Sequence, residues 1–145
     1  MIRFEFSIEI DRPSSEVFAF ITDADRLPEW QSDVVEAEWQ GERARGARIR
    51  EVRRFLGRRL EIEQEVTDYE PGRRFGLQAV SGPFPLSVMV VLEPRHDGST
   101  LMFSGEAEPS GFFKLAEAFV AGVAERQART DFERMKDILE GRSPS

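Results

Sequence analysis

Glu51, Arg53 and Gln64 are the residues whose types and placement bring chemistry with them. They lie in two segments, Ala47 to Phe55 and Leu60 to Tyr69, that alternate apolar and polar residues around Leu56, Gly57, Arg58 and Arg59. Glycine at the first central position suits a type II′ two-residue turn. That turn sets Phe55 opposite Leu60, Arg53 opposite Ile62, Glu51 opposite Gln64 and Ile49 opposite Val66, on one mostly apolar face. Arg54 with Glu61, Val52 with Glu63 and Arg50 with Glu65 then make a charged face toward water. An ionised carboxylate without a partner in an apolar interior is costly. Two readings follow. Either Glu51 and Arg53 pair with each other or with buried water, or they line a ligand cavity and hold its polar end. For a reaction in such a cavity, Glu51 is the candidate general acid or base. A buried carboxyl holds its proton more firmly than an exposed one, unless a cation pairs with it.

Other chemistries find less support. The chain has no cysteine, which excludes a disulfide scaffold and a thiolate nucleophile. Its one histidine, His96, sits in the turn Arg95-His96-Asp97-Gly98 and reads as a solvated residue. No metal site and no cofactor are expected. There is no G-x-S-x-G elbow and no glycine-rich phosphate loop. Arg43, Arg45, Arg48, Arg50, Arg53, Arg54, Arg58 and Arg59 invite an anion-binding reading, but Glu61, Glu63 and Glu65 across the hairpin can pair most of them. A net charge of −7 argues against nucleic acid as the partner. Tyr69, the sole tyrosine, reads as a packing residue.

The elements that must position these residues are legible in order. Ile2 to Ile10 alternates as a half-buried strand. Ser14 or Ser15 is placed to cap a short helix carrying Val17, Phe18, Phe20 and Ile21 inward, and Asp25 to Trp30 predicts a second short helix anchored by Leu27 and Trp30. Strands follow at 34–40, 47–55, 60–69, 73–80, 86–93 and 100–108. Asp97 and Gly98 form the last tight turn. Leu86 to Glu93 is apolar on both faces, which predicts either double-sided burial or a homodimer surface. The final segment, Ser110 to Gly141, predicts one long helix capped by Ser110. Its second half carries one apolar stripe, Ala124, Ala128, Phe132, Met135 and Leu139, with Glu125, Arg129, Glu133 and Lys136 facing away. Its first half, Phe112 to Val123, is apolar nearly all round, so it must be enclosed or must face a cavity or partner. Phe84 in its proline-framed loop and Phe112 at the helix start could form a hydrophobic mouth. A run of antiparallel hairpins with a helix on one side is an α+β fold. Residues 1–141 read as one domain and 142–145 as a disordered tail. The opening residues carry no signal-peptide pattern, which suits the cytoplasm.

The order of these pieces resembles the START-like, helix-grip superfamily (SRPBCC), which includes the polyketide cyclase/dehydrase and lipid-transport families. The resemblance is carried by Ile10 to Phe18 (IDRPSSEVF), Asp25 to Trp30 (DRLPEW), Gly46 opening a strand through Arg50, Glu51 and Val52, Tyr69 to Arg73 (YEPGR), Ser81 to Pro85 (SGPFP), Asp97 to Thr100 (DGST) and the long last helix. It implies a seven-stranded antiparallel sheet wrapped around the C-terminal helix, with two short helices after the first strand and an apolar cavity between sheet and helix. Members bind lipids, polyketides, hormones or quinones, and some catalyse cyclisation or dehydration. No catalytic set of the superfamily maps onto this chain residue by residue.

The function expected is therefore binding of a small hydrophobic molecule. Ile49, Phe55, Ile62, Phe75, Leu77, Phe119 and Val123 would form the wall, with Phe84 and Phe112 at the mouth. Glu51, Arg53 and Gln64 would orient the polar end. A cyclase or dehydratase acting in the same cavity, and an interaction or dimerisation module of the same fold, are the alternatives.

Overall fold

The structure, a computed structural model, describes residues 2–55, 57–82, 85–108 and 117–141. Strand β1 (Ile2–Ile10) leads into helix α1 (Ser14–Ile21), a 3-10 turn (Ala24–Arg26) and helix α2 (Leu27–Trp30). Strands β2 (Val34–Gln40), β3 (Arg48–Phe55), β4 (Arg58–Glu70), β5 (Arg74–Ser81), β6 (Leu86–Arg95) and β7 (Gly98–Ala107) follow, then helix α3 (Glu117–Leu139). The seven strands form one antiparallel sheet in the order β1-β7-β6-β5-β4-β3-β2. The expected α+β architecture is the observed one.

Each hairpin stays local, and the only crossover is the helical one from β1 at one edge to β2 at the other. Register shifts in β2, between Val34 and Glu36, and in β4, at Glu63/Gln64 and Val66/Asp68, mark bulges. Bulges bend a strand and sharpen its twist, which lets a sheet curve around an object. That object is α3, which packs on β1 and α2. Phe132 of α3 meets Phe103 of β7 at 4.9 Å between ring centroids, Trp30 at 5.1 Å and Phe6 of β1 at 5.7 Å. The C-terminal end of α3 is tied to the end of β1 by polar bonds. Lys136 Nζ donates to the Glu9 carbonyl at 2.6 Å, and the Asp11 amide donates to Glu140 Oε2 at 2.8 Å. Lys136 therefore does not face away, as its place opposite the apolar stripe predicts. Its long stem lets the ammonium reach back to the strand.

Both tight turns sit differently from the sequence expectation. Phe55 pairs with Arg58, so Gly57, at φ 76°, immediately precedes the first paired residue of β4 and is not the first central residue of the turn. The pairing is Arg53 with Leu60, Glu51 with Ile62 and Ile49 with Gln64. Each partner is displaced by two residues from the expected one. A displacement of two keeps every side chain on its expected face, whereas a displacement of one inverts them all. Arg95 pairs with Gly98, so the last turn is His96 and Asp97, and Gly98 opens β7. A Cβ on Gly98 would stand 2.2 Å from the Ile10 carbonyl oxygen. Its glycine is required by the close approach of β1, not by the turn.

Two smaller expectations are corrected. Neither Ser14 nor Ser15 caps α1. Pro13 occupies the N-cap in extended conformation, and its carbonyl accepts from the amides of Glu16 and Val17. Val52 lies on the charged face but is fully buried. Its cross-strand neighbours are Glu36 and Glu61, and Arg50 joins both carboxylates at 3.1 and 3.3 Å, closing a lid over it. On β6, the outward Met89 lies over Gly76, where an added Cβ would stand 2.9 Å from Met89 Cε. The expected Ser110 cap lies outside the described residues.

Candidate functional site

Between the sheet and α3 lies a cavity of about 250 Å³. Phe132 fills the space where helix and sheet touch. One and two turns earlier on the same helical stripe stand Ala128 and Ala124, both on the cavity wall. Two alanines in place of large side chains leave the room that Phe132 closes below. The sheet supplies Ile49, Leu60, Ile62, Phe75, Leu77, Val88, Val90 and Phe103. The α1–α2 segment adds Ile21, Leu27 and Trp30. The volume lies just under the lower end of small-molecule sites, about 300 Å³.

A polar cluster interrupts this wall. Glu51 is 1% exposed and accepts from Arg53 Nε at 2.7 Å. Arg53 Nη1 also reaches both carboxylate oxygens of Asp33, at 3.2 Å each. Asp33 is brought there by the edge pairing of β2 with β3, where the Arg54 amide donates to the Asp33 carbonyl at 2.7 Å. Burial opposes the Arg53 charge, but the carboxylates of Glu51 and Asp33 outweigh it and raise its pKa. Glu51 and Arg53 pair with each other, as the first reading has it, and both stand on the cavity wall.

Asp131 of α3 also lines the cavity. Its Oδ1 accepts from Gln127 Nε2 at 2.8 Å, and from the Ser32 amide and hydroxyl and Arg134 Nη1 at 3.4 Å. Gln127 Nε2 also donates to Ser32 Oγ. Burial pushes the Asp131 carboxyl up to about 6, with the nearby charge of Asp33 adding to it and the bonds from Gln127 and Ser32 and the charge of Arg134 opposing. Two wall residues carry a buried polar atom without a protein partner: Gln64 through Oε1 and Trp30 through Nε1.

Of the residues expected from sequence, Ile49, Glu51, Arg53, Ile62, Gln64, Phe75 and Leu77 are on the wall. Phe119 is not: its side chain is 61% exposed. Val123 is half-buried and outside the lining. The helix turns Ala124, Gln127, Ala128 and Asp131 inward instead, and Phe119 falls on the same side as exposed Arg126 and Thr130. The Phe55 side chain, Phe84 and Phe112 lie outside the described residues. Sequence reasoning missed Asp33, Gln127 and Asp131. Asp131 had a signal: it stands three residues after Ala128 and four before Met135, an acid inside the apolar stripe. Asp33 had none, because its partner is supplied by strand pairing. His96 is almost fully exposed, Tyr69 packs on Phe18 and Phe75, and among the described residues no group of side chains is arranged to hold a metal.

A curved seven-stranded sheet closed over a long C-terminal helix, with a lined cavity between, defines a helix-grip protein. The chain belongs to the polyketide cyclase/dehydrase and lipid transport family, whose model matches residues 1–140. Solved structures of the same fold include TTHA0849 from Thermus thermophilus, 15% identical with a TM-score of 0.83 over 96% of this chain and 97% of that one. A START superfamily protein from Mycobacterium smegmatis is 12% identical, with a TM-score of 0.77 over 97% and 99%. The di-domain ARO/CYC BexL of the BE-7585A biosynthetic pathway is 18% identical, with a TM-score of 0.75; the match covers 97% of this chain and 47% of BexL. No curated protein matches the chain.

Two outcomes are expected from this geometry. Arg53→Met strands the buried Glu51 and Asp33 without their cation, so stability measured by urea unfolding should fall by about 3 kcal/mol or more at pH 7. The Asp131 carboxyl, raised when folded, binds more protons in the native state than in the unfolded chain between about pH 4 and 6. Its contribution therefore opposes folding increasingly as pH rises through that window, and the penalty is complete above about 6. Relative to wild type, Asp131→Asn should gain stability from pH 4 to pH 7. A difference that stays flat with pH in parallel urea titrations contradicts this.

Proposed function

We propose that the protein binds a small, mostly apolar molecule in the cavity between the sheet and α3. The observation that carries this reading is an apolar cavity wall broken by hydrogen-bonded polar groups. Apolar burial supplies the affinity, at about 25 cal/mol per Å² before the costs of association, and the polar groups fix orientation. The family includes lipid-transport members, which supports the same reading. Native mass spectrometry beside denaturing extraction should find an added mass released on unfolding, or uptake of an apolar probe such as N-phenyl-1-naphthylamine. Ala128→Trp places an indole in the space left by the alanine stripe. Its affinity for the probe should drop at least about tenfold with far-UV circular dichroism unchanged. Full binding by a folded Ala128→Trp protein places the ligand elsewhere.

A second reading is a cyclase or dehydratase acting in the same cavity. It is favoured by one observation: Asp131, whose carboxyl keeps its proton up to about pH 6, faces the same cavity as the arginine-paired Glu51. A proton donor and a carboxylate on one wall are the parts that acid–base catalysis needs. With a poly-β-ketone thioester as substrate, Glu51→Gln should abolish turnover and spare binding. Unchanged turnover removes Glu51 from the mechanism.

A further inference from the structure

The charges around the cavity are unbalanced. Asp33, Glu51 and Asp131 bring three carboxylates, and Arg53 and Arg134 bring two guanidinium groups. One net negative charge remains at the polar cluster. Only Arg53 of the two cations stands on the wall, and it is already shared between Glu51 and Asp33. Arg134 lies outside the lining and divides its Nη1 between Asp131 and the Trp30 carbonyl. The remaining charged wall residue, Glu106, faces Arg3 at 3.5 Å near the exposed sheet edge. An incoming carboxylate would shed its water and meet, among the described residues, no uncommitted cation. A neutral oxygen would not suffer this.

We propose that the cavity discriminates by charge, taking uncharged apolar molecules that carry hydroxyl or keto oxygens and rejecting the matching carboxylates, with Asp33, Glu51 and Asp131 as the residues that set this specificity. The inference rests on the cavity being the binding site. It narrows the ligand class: a free fatty acid is a poor ligand, and a long-chain alcohol, ketone or phenol is a good one. Repulsion in a site of low dielectric is the working element, since specificity is a difference of affinities and can be built from a clash of charge.

The test is displacement of N-phenyl-1-naphthylamine at pH 8 and low salt by three chain-matched competitors: decan-1-ol, decan-2-one and decanoate. At this pH decanoate and Asp131 are both ionised. The alcohol and ketone should displace the probe at concentrations at least about tenfold lower than decanoate. Asp131→Asn should shrink that ratio, taken between the alcohol and decanoate within the same variant, at least about threefold, and Asp33→Asn should act in the same direction. Decanoate competing as well as the alcohol overturns the proposal, and Arg53 then serves as an anion seat. A ratio unchanged in both folded variants removes these carboxylates from the selectivity. Failure of the probe and all three competitors to bind overturns the binding reading itself, which separates that outcome from the other two.

Discussion

The packing of Phe132 against the sheet is the constraint on which the site depends. Its ring meets aromatic rings from β1, α2 and β7, and so fixes the distance and rotation of α3 relative to the sheet at one level. Burying a side chain of this size stabilises a fold by about 1.5–3 kcal/mol before cavity effects are added. Above that level the same helical stripe carries Ala128 and Ala124, and helix and sheet part. The cavity is the consequence of one large and two small residues in a row at helical spacing. A larger residue at either alanine position would extend the packed core through the space that is now open.

The polar cluster follows from this separation. Where helix and sheet touch, buried polar groups would have to be satisfied within the packing. Where they part, β3 can send Glu51 and Arg53 inward and α3 can turn Gln127 and Asp131 to the same cavity. Each group still needs a partner, because an isolated buried charge costs more than the fold can supply. The bonds from Arg53 to Glu51 and Asp33, and from Gln127, Ser32 and Arg134 to Asp131, provide those partners. The cluster thereby joins β3, the α2–β2 connection and the helix. Among the described residues no helix is long and apolar enough to cross a membrane.

Sheet curvature shapes the cavity. The bulges of β2 and β4 occur in strands on the side carrying Asp33, Ile62 and Gln64, and bending there brings the far edge of the sheet around toward the helix. The alternation of apolar and polar residues, legible from the start, says only that a strand has an inner face. It does not say how far that face bends.

By itself the sequence determined the element types, the α+β arrangement and the inward direction of Glu51, Arg53 and Gln64. These depend on local periodicities, two for strands and 3.6 for helices, which any chain displays in its own order of residues. Tertiary structure decided who meets whom. The β3–β4 pairing is displaced by two residues from the expected register, and the inner face survives because facing depends only on odd or even position. The wall on α3 is Ala124, Ala128 and Asp131 and not Phe119 and Val123, because docking chose the rotation of the helix about its axis. Asp33 joins Arg53 only once β2 has paired with β3, across 20 positions of chain. Contacts of that kind are non-local, and their geometry comes from the packing of whole elements, which no local pattern of residues encodes.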